Sequence, residues 1–462
     1  MNYDAVIAAV STPPGKGGVA IIRVSGEGAL ELAAKVFIPK GKREISEIPP
    51  RTEIFGNVVY RGEEIDDGLL CYFKAPASYT GEDTVEISCH GGALITKTVL
   101  EALFAAGARP ALPGEFTRRA LLNGKISLTD AEAVANLLEA KTESQIMLST
   151  ESSRSHLSRE IGEIRETLTA TLSSAWARID YPDEDLGDFS DEELSSRLSV
   201  IAEKMQILLE SYKTGRAVNE GIKTTICGKP NTGKSSLYNL ILGEDRAIVT
   251  DTPGTTRDVL TAVVSLGKTL LLLSDTAGIR ETSDDKIELI GIERSRNAIN
   301  TSELIIALFD GSSRFSNEDE EIISALESTS AAKIAVINKC DKPQRFPKEI
   351  LSRGFERVIE ISALENPAEA RKALGDVIDE LFTDEKITLG KSAVIANARQ
   401  FAALSRAKSF VDKALETLSS GLTQDLASCD VEKALGEIAE LDGKRVNDEV
   451  LNKIFENFCV GK

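Results

Sequence analysis

Through the first quarter of the chain, apolar and polar positions alternate in short runs. DAVIAAV, GVAIIRV, GNVVY, LLCYF and TVEISC are strand-length and rich in β-branched residues. Two stretches, GALELAAKVF and ALITKTVLEALFAAG, instead place apolar residues at helical spacing, and the turn-rich GKREISEIPPR (41–51) reads as a loop. Residues 1–118 are therefore expected to form a mixed α/β domain. From 119 to 213 leucine, isoleucine and alanine recur every three or four positions, as in AEAVANLLEAKTESQIML and EIGEIRETLTATLSSAWARI, with almost no glycine. Pro182 interrupts the pattern and the helices resume; helices of this length are expected to pack on one another.

Gly215 and Gly221 introduce a different regime. IKTTICG, TLLLLSD, ELIIALFD and KIAVIN read as buried-type strands, each expected to lead into a helical stretch, as far as about residue 383. Helical periodicity then returns through ANARQFAALSRAKSFVDKAL and DVEKALGEIAEL. The economical organisation has four segments of α/β and α class: an α/β domain (1–118), a discontinuous helical domain (119–221 and 384–462), and an inserted, doubly wound α/β domain (222–383).

Composition narrows the function classes. The 462 residues suffice for about three domains, and 42% of them are hydrophobic, enough for sizeable cores. Lys+Arg 54 against Asp+Glu 73 gives a net charge of −19. Such a field repels nucleic acid and anionic membranes as a whole, so any RNA contact is expected through a local basic patch or a partner. Cys71, Cys89, Cys227, Cys340, Cys429 and Cys459 are scattered without a C-x-x-C pair, and there are two histidines. Neither a zinc site nor a disulfide framework is expected, and a reducing cytoplasm fits. MNYDAVIAAVSTPPGKGG lacks the basic start and apolar stretch of a signal peptide, and LIIALF (304–309) is strand-length rather than membrane-length. The expected location is cytoplasmic, without a membrane partner.

Chemistry concentrates in the inserted segment. GKPNTGKS (228–235) fits G-x-x-x-x-G-K-[ST] between the strand TTIC and the helix SLYNLIL. Its glycines let backbone N–H groups face a phosphate, Lys234 neutralises β/γ oxygens, and Ser235 is a magnesium ligand. Asn231, Thr232, Gly233 and Ser236 complete the expected contacts. SDTAG places Asp275 at a strand end to hold a metal water and Gly278 beside the γ-phosphate, with Thr276 and Ala277 between them. NKCD (338–341) follows KIAVI: Asn338 and Lys339 frame the base, and Asp341 accepts from the guanine N1–H and 2-amino group, an edge that adenine lacks. Ser362, Ala363 and Leu364, after VIEI, supply the backbone amide expected at guanine O6. Polar turns are the plain alternative for each piece, but four in this order at strand ends point to GTP. VTDTPGTTRD (249–258) occupies the place of a switch loop, with Thr250, Asp251, Thr252, Pro253, Gly254 and Thr255 around the nucleotide and Thr256 completing the magnesium shell.

The residue after Gly278, where many GTPases place a water-orienting glutamine, is Ile279. The motif set resembles the translation-factor-related GTPases that dimerise through their GTP domains and use a monovalent cation. By that resemblance Asn231 coordinates potassium, with the Thr250 and Thr252 carbonyls and a contact from Thr255; the ion supplies charge that an arginine supplies elsewhere. IRETSDDKIELIGIERS resembles the family's second switch, and Glu288 matches its catalytic glutamate, which bridges to the attacking water through a second water. This stretch is one residue longer than the pattern, so Glu281 and Asp285 stand beside Glu288 as alternatives.

STPPGKGGVAIIRVSG, PASYTGEDTVEISCHGG and PGEFTRRALLNGKISLTDAEAVANLLEA, together with LIGIERS and the final CVGK, extend the resemblance over the whole length. The chain resembles the MnmE (TrmE) family of tRNA modification GTPases. This implies a folate-binding N-terminal domain, a homodimer formed through it, and a flavin-dependent partner, MnmG or GidA. It also implies a product: an aminomethyl or carboxymethylaminomethyl group on carbon 5 of the tRNA wobble uridine, built from a tetrahydrofolate one-carbon unit (5-formyl or 5,10-methylene). By the same resemblance Arg23, Glu86, Lys125 and Lys462 bind the folate and Cys459 has a chemical role. A carboxylate suits the pterin 2-amino-4-oxo edge and basic groups suit the anionic tail. His90 reads as a hydrogen-bonded core histidine rather than a general base. The competing class is a GTP-switched assembly factor acting on ribosome or membrane without modifying a base; the folate-type stretches and CVGK favour the enzyme.

Overall fold

A computed structural model describes residues 5–41, 44–180, 191–243, 248–249, 261–274, 299–352, 354–445, 448–456 and 458–461. The chain divides into two compact units, Met1–Leu138 with Val431–Lys462, and Glu139–Asp430. In the first unit β1 (Ile7–Val10), β2 (Gly17–Ser25), β3 (Phe37–Pro39), β4 (Glu53–Tyr60), β5 (Glu63–Phe73), β6 (Thr84–Gly91) and β7 (Arg109–Pro110) form one sheet, in the order β3-β4-β5-β6-β2-β1-β7. Pairing is antiparallel except between β1 and β7.

Period-two alternation decides which face becomes core. Along β6 Val85, Ile87 and Cys89 are buried, whereas Glu86 and Ser88 are half-buried and His90 is exposed. Along β2 Ala20, Ile22 and Val24 are buried, and Arg23 falls directly opposite Glu86. The helix Ala93–Ala106 covers the apolar face with Val99, Ala102 and Leu103, and Gly107 ends it at φ 119°. The helix expected over GALELAAKVF stops at Ala33. Phe37, 1% exposed, is drawn into the core instead, where β3 pairs with β4. The expected loop at 41–51 contains a 3-10 turn, Ile45–Glu47, that buries Ile45 and Ile48.

The helix Asp448–Phe455 belongs to this unit: Leu451, Phe455 and Phe458 cluster with Leu128 and Ala131 of Leu128–Glu139. Gly114, at φ 65°, lies so near that a Cβ would come within 2.9 Å of Phe455 and Phe458. Compactness groups 431–462 with residues 1–138. The boundary expected at 118 falls inside the helix Glu115–Leu122.

The second unit carries the long helices Glu151–Asp180, Asp191–Asn219 and Ala398–Ser419. Tyr212 stacks on Phe401 with ring centroids 4.5 Å apart, and Ser211 Oγ accepts from the Ile395 N–H at 3.0 Å. Directly after Asp191–Asn219 the chain enters a second sheet. Its strands are β8 (Ile222–Cys227), β9 (Ile248–Val249), β10 (Thr261–Leu266), β11 (Thr269–Ser274), β12 (Leu304–Asp310), β13 (Ala332–Asn338) and β14 (Arg357–Glu360). The order is β14-β13-β12-β8-β11-β10-β9, parallel from β14 to β11 and antiparallel at the β10 and β9 edge.

Every residue of β12 is buried, which requires cover on both faces. Leu237 and Ile241 of Lys234–Leu242, with Leu374 and Ile378 of Pro367–Phe382, pack with Ile306 and Leu308 on one face. Leu326 of Asn317–Glu327 packs with Ile305, Ala307 and Phe309 on the other. This is the doubly wound arrangement. After β13, however, a 3-10 turn, Lys348–Ser352, held by buried Leu351, stands where a helix was expected. β8 lies between β11 and β12, so the crossovers diverge beside its carboxyl end, the position where such sheets bind ligands. Among the described residues no helix is long and apolar enough to cross a membrane.

Two glycines test the helix packing. A Cβ on Gly215 would lie 2.0 Å from the Ile395 carbonyl oxygen, whereas one on Gly162 would meet nothing within 4 Å. Gly215→Ala should destabilise by about 1–3 kcal/mol through overpacking. Gly162→Ala should stabilise by roughly 0.5–1 kcal/mol through helix propensity. Thermal unfolding of the two variants should therefore shift in opposite directions; equal shifts would contradict the packing.

Candidate functional site

The loop between β8 and the helix Lys234–Leu242 is tightly constrained. Gly228, at φ 152°, leaves no space for a Cβ, which would sit 2.5 Å from the Leu308 carbonyl oxygen. Gly233, at φ 100°, leaves none either: a Cβ there would be 2.3 Å from Asn338 Nδ2. Between them Asn231 is exposed at a positive φ of 63° and Thr232 is fully buried, donating through Oγ1 to the Lys229 carbonyl at 2.9 Å. Lys234 Nζ donates to the carbonyls of Gly228 at 2.9 Å and Lys229 at 2.8 Å, and burial pushes its ammonium below the ordinary lysine range. Ser235, exposed, and Ser236, half-buried, occupy the first helical turn, where backbone N–H groups have no intrahelical partner.

The loop after β13 meets this one through the side chains of Asn338 and Lys339. Asn338 Nδ2 donates to the Thr232 carbonyl at 2.9 Å while its Oδ1 accepts from the Ala363 N–H at 3.0 Å. Lys339, itself at φ 66°, donates to the Asn231 carbonyl and to Asp310 Oδ2, both at 2.7 Å. Asp341 is exposed and accepts from Ser362 Oγ at 2.5 Å; that hydroxyl holds its carboxyl below the ordinary aspartate range. Ser362 and Ala363 are buried, while Leu364 is 76% exposed. Asn231 to Ser236, Asn338, Lys339, Asp341 and 362–364 are thus assembled around the carboxyl ends of β8, β13 and β14.

Sequence reasoning missed Asp310, the last residue of β12. Burial raises its pKa, but bonds from Lys339, the Ser312 hydroxyl and the Ser312 N–H outweigh that and leave it at about 2. The signal was present: a lone aspartate closing the aliphatic run LIIALFD. The switch candidates Thr250, Asp251, Thr252, Pro253, Gly254, Thr255 and Thr256, then Asp275, Thr276, Ala277, Gly278, Ile279, Glu281, Asp285 and Glu288, lie outside the described residues, as does Lys462.

A second constellation lies in the first unit. Arg23 Nε donates to Glu86 Oε1 at 2.9 Å across the β2–β6 ladder. Its guanidinium carbon lies 5.6 Å from the Tyr79 ring centroid and 5.7 Å from that of Phe116. Arg23 Nη1 also donates to the Gly461 carbonyl at 3.3 Å, which Ser11 Oγ reaches at 3.1 Å, and the Gly114 N–H donates to the Cys459 carbonyl at 3.3 Å. Gly461 is buried at φ 101°, and a Cβ there would strike the Val10 carbonyl oxygen at 2.2 Å. Segment 458–461 is therefore set against β1 and the Arg23–Glu86 pair, with Cys459 exposed. Lys125 is exposed and donates to the Pro76 carbonyl at 2.8 Å. His90 is hydrogen-bonded, with Nδ1 2.7 Å from Asp66 Oδ1, but exposed at the sheet surface, so it is not the core histidine expected.

A mixed sheet with a glycine-flanked, lysine-bearing loop after β8, tied to the loops after β13 and β14, defines the P-loop GTPase fold. A family model described as "GTP-binding protein TrmE N-terminus" matches residues 6–125, and one described as "MnmE helical domain" matches 128–459. The chain is 39% identical to a "tRNA modification GTPase MnmE" of Clostridioides difficile, over 100% of both chains. It is equally 39% identical to the proteins of that name from Carboxydothermus hydrogenoformans and Thermotoga sp., over 99% of each chain. The chain belongs to the MnmE family of tRNA modification GTPases.

The Asp310–Lys339 pair has a pH signature. With a folded pKa of about 2, below its unfolded value, Asp310 contributes stability in full above roughly pH 4 and loses it as pH falls through 2. The stability gap between the wild type and Asp310→Asn should therefore narrow as urea unfolding is moved from pH 5 toward pH 2. A gap independent of pH would exclude the ion pair as its source.

Proposed function

We propose that the chain is a potassium-dependent GTP hydrolase that works with the flavin-dependent protein MnmG (GidA). Together they add an aminomethyl or carboxymethylaminomethyl group to carbon 5 of the wobble uridine, position 34, of certain tRNAs, using a tetrahydrofolate one-carbon unit. The tRNA half of this reading rests on family membership, which also favours an enzyme over an assembly factor. One observation carries the GTP half: the Asn338 amide joins the loop after β8 to the loop after β14, giving phosphates and base one rigid frame.

The residues suit these roles. Gly228 and Gly233 form a cradle that any Cβ would fill, and Lys234 reaches across it to meet β/γ oxygens. Asp341 stays an acceptor at neutral pH and reads the guanine N1–H and 2-amino group, with Ser362, Ala363 and Leu364 at O6. Ser235 with Thr256 would hold magnesium, whose charge offsets that developing on the phosphate oxygens. Asn231, with Thr250, Thr252 and Thr255, would hold potassium. Asp251, Pro253 and Gly254 would shape that loop, Asp275, Thr276, Ala277 and Gly278 would border the γ-phosphate, and Glu288 would orient the water that Ile279 cannot. In the first unit both Arg23 contacts fall on Glu86 Oε1, so Oε2 suits a pterin amino group. Lys125 and Lys462 would take the anionic tail, and Cys459 would serve the modification chemistry.

The segments 1–118, 119–221 with 384–462, and 222–383 would act as folate-binding, helical and GTPase domains of a cytoplasmic homodimer joined through the N-terminal domain, without a membrane partner. Glu288→Ala should slow GTP hydrolysis by about 100-fold or more while nucleotide binding persists. Replacing potassium by sodium should slow the wild type; equal rates would remove Asn231 from ion binding. Reconstitution with MnmG, tRNA, GTP and methylenetetrahydrofolate, followed by nucleoside analysis, tests the whole reading. Uridine 34 left unmodified would defeat it.

A further inference from the structure

Lys229, the second residue of the GKPNTGKS loop, invites reading as another phosphate-binding cation. Its side chain is committed elsewhere. Lys229 Nζ donates to Asp319 Oδ2 at 2.7 Å and to Ser316 Oγ at 3.1 Å. Asp319 is wholly buried and stands at the third position of the helix Asn317–Glu327, in a capping box with Ser316. Its Oδ2 accepts from Lys229, from the Ser316 N–H at 3.0 Å and from Ser316 Oγ at 2.8 Å, while Oδ1 has no hydrogen-bond partner. A buried carboxylate satisfied on one oxygen alone is strongly dependent on its cation.

The other end of Lys229 faces the site. Its carbonyl oxygen accepts from Thr232 Oγ1 at 2.9 Å and from Lys234 Nζ at 2.8 Å. One residue is thus held from both sides, its ammonium by the helix start and its carbonyl by the lysine expected at the phosphates. We propose that Asp319, through Lys229, is a positioning residue for the phosphate loop, fixing the carbonyl that orients Lys234. This deepens the GTP-binding reading above and rests on it. Because Lys234 meets the phosphates in ground and transition states alike, loss of its positioning weakens both equally.

Asp319→Asn keeps the acceptor and removes the charge; Lys229→Gln removes the partner from a less buried position. Each should raise the KM for GTP about tenfold with kcat within about threefold of wild type. The double variant should raise it no further than either single change, as expected for one shared interaction. A role limited to folding would lower the active fraction, and hence the apparent kcat, with KM unchanged. That outcome, or additive KM effects in the double variant, would overturn the proposal. Should Asp319→Asn fail to fold, Lys229→Gln carries the same KM test alone. Wild-type protein that neither binds nor hydrolyses GTP would instead defeat the underlying GTP reading.

Discussion

The architecture of the candidate nucleotide site depends on one buried amide. Asn338, 3% exposed, donates to the loop after β8 and accepts from the loop after β14. A buried amide left half-paired is costly, so each loop is held where it satisfies the other. Gly233 is the corollary: its missing side chain is the space the amide nitrogen occupies. Asp310, Lys339 and Asn231 form a parallel strut on the solvent side, in which one ammonium is shared by a strand-end carboxylate and a loop carbonyl. Four strand ends distant in sequence thereby become one surface.

Much of the fold was legible where burial is total. β12 and the inner part of β13 are continuous aliphatic runs because both of their faces are covered, and that pattern admits few alternatives. Reading failed where tertiary contact overrode local preference. GALELAAKVF has helical spacing throughout, yet Phe37 does more for the core as a strand residue opposite Val58 than as a final helical turn. TAVVSL at 261–266 buries Ala262, Val264 and Leu266, but its antiparallel register with β11 is set by pairing that so short a run does not specify. Phe455 and Phe458 cluster with Leu128, joining the last helix to Leu128–Glu139 through contacts that periodicity alone does not specify.

The site divides along the same line. The phosphate loop and NKCD are contiguous words whose spacing is set by a ligand, so they can be read without a structure. Asp310 and Asp319 act through lysines of those words from distant helices and strands, and an isolated aspartate carries no spacing by which to recognise it. The first-unit constellation is harder still. Arg23 and Glu86 are opposed by strand register, but Ser11 meets Gly461 across a separation of 450 residues, and only the folded backbone reveals the pairing.

That last contact bears on how the protein is made. Ser11 and Arg23 leave the ribosome well before the carbonyl they clasp, that of Gly461, which follows Arg23 by 438 residues. At the usual pace of synthesis the interval is roughly 20–90 seconds. During that time the N-terminal sheet can pair its strands, but Ser11 and Arg23 lack this acceptor. The nascent sheet must therefore persist as a partly finished body while the entire second unit is translated, and it is completed only after that unit has emerged.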